Sequence, residues 1–491
     1  MAHPYVSPRL PMETMISIIR HGLKKPSAPK TVVIIGAGMA GLVAASLLKQ
    51  AGHRITVLEA SGRVGGRIYT LRSDFRDGQY LEAGAMRIPH THPLTLAYIK
   101  KFNLPLHPFI NSTPRDIFYF RGIKARLSEY ERHPDLFGFP VAPHEQGKTA
   151  SGLLQMAIRP VIQFIEQNPE QHWPIVIERL DRYSLDAYLR YNPFGPRLSV
   201  GAIDMIKAVL SLEGFPELSL LEVLRELMVL FTPNIRFYEI AGGNDQLPKA
   251  FLPQLKDEIL FSHKVQKIVQ TPNSVTVHAT HTKIFQPFQI NADRVIVTIP
   301  FSVLQFIDIE PRHSFSENKW KAIRELHYAG STKTGIQFKT RFWEKEGMFG
   351  GKSVSDLPIR YTQYPSQGIG TAGPGVVLAS YTWEDDTIPW DSLSDEERLE
   401  YTLKNLAVLH GEQVYREFET GTSHSWVRDP YSGGAFTMMK PNQVTELSPY
   451  IALPEGRVHF AGEHASTHHG WIQGAIESGI CAAYEVNEAP A

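Results

Sequence analysis

The fold class this sequence predicts is α/β: a parallel-sheet domain assembled from separated segments, with a mixed sheet and a helical segment inserted into it. Three observations predict it. Residues 32–58 read strand, helix, strand; from about 140 to 235 the pattern turns helical; and strands return before a closing strand, loop and helix in RVHFAGEH and GWIQGAIESGICAAYEV. The β-branched run Val32 to Ile35 suits a buried strand, Met39 to Ala51 has the small and apolar faces of a packed helix, and Ile55 to Leu58 supplies the next strand. Such a unit implies a parallel sheet with a right-handed crossover. In LSLLEVLRELMVL, Leu220, Val223, Leu224, Leu227 and Met228 fall on one helical face. Strand patterns recur at VQKIVQ, SVTVHAT, RVIVTIP, TKTGIQF and VVLASYTW, with no internal repeat or charge block among them.

A chain of 491 residues with 43% hydrophobic content has room for two or three domains. Lys+Arg and Asp+Glu both total 50, so no net field is available to hold nucleic acid or an anionic membrane. The single cysteine, Cys481, excludes an internal disulfide, and its apolar, small-residue neighbourhood predicts a buried, inert thiol. The uncharged run TVVIIGAGMAGLVAASLL is long enough to span a bilayer, but a strand and a glycine turn in lipid would leave backbone groups unpaired. The first thirty residues carry Pro4, Pro8, Pro11, Pro26 and Pro29 and lack a continuous apolar core for a secretory signal. The expectation is a soluble, cytoplasmic protein, with secretion by another route left open.

Between the first strand and the first helix stands GAGMAG. Gly36, Gly38 and Gly41 fit G-x-G-x-x-G, in which the glycines serve a tight turn, close approach of backbone to a pyrophosphate, and close helix–strand packing. The helix beginning near Met39 aims unpaired N–H groups at phosphate. Glu59, at the end of the second strand, can accept hydrogen bonds from ribose hydroxyls and disfavours a 2′-phosphate. This much predicts a dinucleotide without separating NAD from FAD.

The next segment, Arg63 to Arg67 (R-V-G-G-R), resembles the second signature of the glutathione-reductase-type flavoproteins that bind FAD. There the glycines let the chain pass close beneath the cofactor and Arg67 offers a guanidinium to pyrophosphate. VHFAGEH resembles a third signature, which brings Gly462 and Glu463 to the ribityl or phosphate region. Together with EAGAMRIP, GGNDQLPKAF, STKTGIQFKTRFWE, GGKSVSDLP and HHGWIQGAIESG, these stretches make nearly the whole chain similar to the flavin amine oxidases, and more closely to L-amino-acid oxidases.

The resemblance implies an FAD-binding, Rossmann-like domain from 31–75, 238–326 and 455–491; a substrate-binding mixed-sheet domain from 1–30, 76–135 and 327–454; and a helical domain at 136–237. It implies that Arg87 pairs with a substrate carboxylate, that Tyr381 donates a second hydrogen bond to it, and that Lys333 holds a water near flavin N5. It places the Gly470 carbonyl on the substrate amine, the Trp471 indole beside the flavin, Phe436 in the side-chain pocket, and the backbone of Val265 on the adenine. Gly66, Gly84 and Ala85 mark close approaches of chain to cofactor, and Met39, Ala40, Ala60, Met86 and Ile472 complete the expected FAD contacts. Monoamine oxidases carry a flavin-bonding cysteine where this chain has Ala435, so the FAD is expected to be non-covalent.

The activity this resemblance implies is oxidative deamination of L-amino acids by dioxygen, with large apolar or aromatic side chains suggested by Phe436 and Trp471, and a homodimer by analogy. Another amine oxidase, a tryptophan-monooxygenase-like enzyme or a non-catalytic FAD-binding scaffold are the alternatives. His464, His468 and His469 beside Glu463 have a spacing that could ligate metal on a helix, but the preceding strand and Gly470 make this a loop, and no metal is expected.

Overall fold

The computed structural model of the chain describes residues 9–490 apart from Pro216, Phe231 and Pro233. Pro4 and Pro8, with the start of the segment assigned to the mixed-sheet domain, lie outside the described residues.

Five strands form an all-parallel sheet in the order Ile259–Leu260, Arg54–Leu58, Thr31–Ile35, Arg294–Val297 and Val458–Phe460. Val32, Val33 and Ile34 have no exposure on either face, which is why an unbroken β-branched run encodes this strand rather than an alternating one. The bilayer-length run resolves into strand Thr31–Ile35, a glycine turn and helix Met39–Ala51. No described helix is long and apolar enough to cross a membrane.

The small residues of that helix and of the last helix, Ile472–Glu488, have one cause: the two pack together, so closely that a Cβ on Gly479 would sit 2.6 Å from the Ala40 carbonyl oxygen. Cys481 is buried in this contact, and burial pushes its thiol up to about 12. A helix at Met12–His21, with Pro11 at its N-cap, buries Met15 and Ile19 in the same core cluster. The prolines around it had hidden this element.

The second sheet has seven strands in the order Phe418–Ser425, Ser331–Phe338, Gly375–Trp383, Tyr361–Gln363, Lys352–Ser355, Ile117–Phe120 and Ile123–Arg126, with parallel and antiparallel pairs. Every residue of Ser331–Phe338 is buried, Lys333 included. A four-stranded sheet, Pro287–Ala292, Val275–His281, His263–Gln270 and Asp308–Glu310, flanks the parallel one. Between about 150 and 230 the chain is helical: Ala150–Gln167, Pro169–Leu180, Leu185–Tyr191, Val200–Val209 and Leu220–Leu230. In the last of these Leu220, Val223 and Leu224 are buried, and Leu227 and Met228 pack partly against the same core, on the face that periodicity predicts.

Candidate active site

A cavity of about 970 Å³ runs from the parallel sheet to the mixed sheet. At one end its wall is the turn after strand Thr31–Ile35. Gly36 has φ +105°, and a Cβ there would meet Thr298 Oγ1 at 2.8 Å; at Gly38, by contrast, a Cβ would have nothing within 4 Å and would project into open space. Helix Met39–Ala51 starts at Gly38 without a side-chain cap, so its first N–H groups, those of Met39 and Ala40, are available to an anion in the cavity. Gly41 does not line the cavity: a Cβ on it would lie 2.0 Å from the Gly36 carbonyl oxygen, so its lack of a side chain lets the helix rise against the turn.

Glu59 and Ala60 continue this wall. Glu59 accepts from Ala37 N–H at 2.7 Å and from Ser61 N–H and Oγ at 2.8 and 2.7 Å, which orients the carboxylate and leaves part of its acceptor capacity open. Gly66, with φ +55°, brings the next loop to Gly38, a Cβ on it falling 3.4 Å from the Gly38 Cα. Arg67 donates to Glu463 Oε1 at 2.8 Å and to the Ala435 carbonyl at 3.2 Å. Burial alone would raise Glu463, but Arg67, His469, His464 and the Gly470 N–H hold it down to about 2, so it is a carboxylate. Arg63, beside the same cavity, has Nη1 buried and without a hydrogen-bond partner among the described residues. Val265, Gly462 and Ile472 also face the cavity.

At the other end side chains dominate. The loop Gly84, Ala85, Met86 and Arg87 lines the cavity, and a Cβ on Gly84 would fall 1.9 Å from the Arg67 carbonyl oxygen, so only glycine lets these two segments touch. Arg87 donates to Asn111 Oδ1 and lies 5.2 Å over the Phe237 ring, which aims a rigid guanidinium with further donors into the space. Tyr381 reaches it from strand Gly375–Trp383, its ring tilted 44° against that of Trp383 with centroids 4.1 Å apart.

On the neighbouring strand, Lys333 donates to the carbonyls of Gly84 at 2.7 Å and Glu82 at 3.1 Å and sits 4.5 Å over the Tyr381 ring. Burial pushes its ammonium down to about 7. Gly470 and Trp471 line the cavity as well, with the indole and the His92 ring nearly perpendicular and their centroids 4.9 Å apart. Phe436 lies under Gly470, whose Cβ would meet the Phe436 ring at 3.5 Å. Of the site residues expected from sequence, all but Gly41 face this one cavity.

The structure adds residues that sequence reasoning passed over. Glu226 faces the cavity and accepts from Trp471 Nε1 at 2.9 Å; Leu210, Ser211, Leu212, Phe215, Tyr361, Trp383, His424 and Trp426 line it too. A pair of glutamates four apart, Glu222 and Glu226, in a helix whose one other polar residue is Arg225 was the available signal for the first. The histidines diverge: His468 pairs with Glu477 at 2.8 Å, His469 with Glu222 at 3.1 Å, and His464 packs on Phe301. Among the described residues no group of three or more His, Cys, Asp or Glu side chains could hold a metal ion.

Residues 39–487 match the family model described as flavin containing amine oxidoreductase. The chain belongs to that family. It is 55% identical over 97% of its length, and 99% of the relative's, to "Putative L-amino-acid oxidase YobN" of Bacillus subtilis (strain 168). It is 37% identical over 97% of its length to an L-amino-acid oxidase of Siganus canaliculatus, covering 89% of that protein. In fold it resembles the cyclohexylamine oxidase of Brevibacterium oxydans IH-35A, with TM-score 0.75, 19% identity, and coverage of 94% of this chain and 99% of that one.

Family membership implies a flavin cofactor, FAD, and the residues present fit one. The uncapped helix start, the empty side of Gly38 and the unpartnered Arg63 Nη1 together form a cradle for a dinucleotide's phosphates.

Proposed function

We propose that this flavin amine oxidoreductase is an L-amino-acid oxidase, converting L-amino acids and dioxygen to 2-oxo acids, ammonia and hydrogen peroxide. One observation carries the reading: a guanidinium, Arg87, lines the same cavity as the Tyr381 phenol, where a simple amine would leave it unpaired and a carboxylate would match its planar fork.

In this reading the turn Gly36 to Ala40 and the helix start hold the pyrophosphate of FAD, with Arg63 and Arg67 beside it, Glu59 on a ribose and the Val265 backbone on the adenine. Gly462, Glu463 and the segment Gly470 to Ile472 hold the remainder. When bound, FAD accepts a hydride equivalent and passes its electrons to dioxygen. The chain's own part is positioning: Arg87 and Tyr381 fix the substrate carboxylate and so aim the Cα–H bond, and the Gly470 carbonyl accepts from the substrate amine. Lys333, held by two carbonyls, keeps one further position for a water, which can take the ammonium proton and later hydrolyse the imino acid. No thiol lines the cavity, since Ala435 stands where a cysteine could bond the flavin and Cys481 is buried in the last helix. FAD is therefore non-covalent, and acid or denaturant releases it and leaves a colourless polypeptide; absorbance that stays with the precipitated chain refutes this.

The test is to mix the yellow protein anaerobically with a panel of L-amino acids and with the corresponding decarboxylated amines, then admit oxygen. Bleaching with the amino acids only, followed by equal yields of peroxide and ammonia, supports the oxidase. Bleaching with the amines makes it an amine oxidase, an amide product makes it a monooxygenase, and no bleaching with either leaves an FAD-binding scaffold.

A further inference from the structure

Helix Leu220–Leu230 turns two carboxylates, Glu222 and Glu226, toward the loop that carries His469 and Trp471, and the two have unlike fates. Glu222 meets an imidazole at 3.1 and 3.2 Å. Burial opposes charge on His469, but Glu222 outweighs it and raises the His469 pKa, so this pair balances itself. Glu226 meets only a neutral donor, the Trp471 indole, at 2.9 Å; among the described residues its second oxygen accepts no hydrogen bond.

A carboxylate that faces the cavity with no cation in hydrogen-bond reach is costly once a ligand displaces its water, and burial already raises its pKa. The cation nearest to it in electrostatic effect is Arg87, which is bonded to Asn111 and stacked on Phe237. If Arg87 takes the substrate's α-carboxylate, as the proposed function has it, Glu226 is left with no cation to pair with it. Leu210, Leu212 and Phe215 line the same cavity and offer apolar surface to an aliphatic stem.

We propose that Glu226 is a specificity-determining residue that pairs with a cation at the end of the substrate's side chain, so that the preferred substrates are L-amino acids with a long aliphatic stem ending in an ammonium or guanidinium. This rests on the L-amino-acid oxidase reading and changes one expectation drawn from sequence. Phe436 and Trp471 suggested apolar or aromatic side chains, but the Trp471 indole N–H is spent on a carboxylate that an apolar side chain would leave buried and unpaired.

The test compares pairs of equal shape: L-lysine with L-norleucine, and L-arginine with L-citrulline. Expected for the flavin-loaded protein is a higher kcat/KM on the cationic member of each pair. In Glu226→Gln, which can still accept from Trp471, kcat/KM on L-lysine and L-arginine is expected to fall roughly a hundredfold, the scale for stripping one partner from a desolvated charge pair. L-Norleucine should change less than about threefold, and flavin content should not change. Should norleucine match or exceed lysine in the unmodified protein, the inference is overturned while the oxidase stands, and this arm needs no variant. An equal fall on all four amino acids also overturns it, because Glu226 then acts on the amine that all of them share. No turnover of any L-amino acid by the loaded protein removes the oxidase reading, and the inference with it.

Discussion

At its glycine end the cavity is walled by main chain: the turn at Gly36 and Gly38, the bare start of a helix, and the loop at Gly66. At its arginine end it is walled by side chains that converge from distant segments: Arg87 after one short strand, Lys333 and Tyr381 on adjacent strands, Trp471 before the last helix, and Glu226 on a helix from elsewhere. The difference teaches where each end can tolerate change. A wall of backbone fails when a side chain is added, because there is no room to yield; a wall of side chains fails when one is removed, because a partner is stranded.

The largest effect should come from adding a single methyl to the first wall. Gly41→Ala puts a Cβ 2.0 Å from the Gly36 carbonyl oxygen and 3.0 Å from Thr298 Oγ1, so the turn must open. The expected result is protein with almost no bound flavin, read as the ratio of flavin absorbance to protein; normal loading would break the contrast at its root.

Next is removal at the opposite end. Arg87→Ala strands the substrate carboxylate and should cost about 3–5 kcal/mol in kcat/KM on L-amino acids, a loss of roughly a few hundred-fold or more, with flavin content unchanged. Arg87→Lys should recover only part of this, an ammonium lacking the bidentate fork. Normal kinetics in Arg87→Ala would mean that something else holds the carboxylate.

Lys333 sharpens the comparison by pH. Burial lowers it to about 7, with Glu82 opposing and Arg87 adding to the fall, so it is an ammonium below that pH and a neutral amine above it. If the amine form helps a water take the substrate's proton, kcat rises as pH climbs through 7. Lys333→Met should erase that inflection and lower kcat on the order of a hundredfold. A profile that keeps its bend in Lys333→Met assigns the bend to another group.

The smallest of the four effects is expected at Glu59, an acidic side chain set into the backbone wall. Glu59→Ala removes charge-assisted hydrogen bonds worth about 1.5–3 kcal/mol, so FAD should dissociate roughly ten- to a hundredfold more readily while the loaded fraction turns over normally. Collapsed turnover with full loading would place Glu59 at the substrate instead.

Local order in the chain explains which parts were readable. The strand Thr31–Ile35, the turn, the helix Met39–Ala51 and Glu59 form one contiguous unit whose demands are met within thirty residues, so spacing and residue type suffice to recognise it. The helix at Met12–His21 was obscured because prolines mark its edges, and a proline is as compatible with a helix start as with a loop. Arg87, Tyr381 and Lys333 were legible only through the resemblance of the stretches around them, since nothing in an arginine's or a tyrosine's immediate neighbours states what it will face.

Sequence by itself therefore determined the crossover unit and its phosphate-binding turn, because backbone sterics and hydrogen bonding act between near neighbours. Only the tertiary structure decided what the polar stripe of Leu220–Leu230 is for. Periodicity separates Glu222 and Glu226 from the apolar face of that helix, and on periodicity alone they belong to solvent; yet Glu222 is 4% exposed and Glu226 looks into the cavity. The physical reason is that helical geometry specifies the angle between side chains, whereas the medium each one meets depends on what packs against the helix, and here that is the loop of His469 and Trp471, supplied by the far end of the chain.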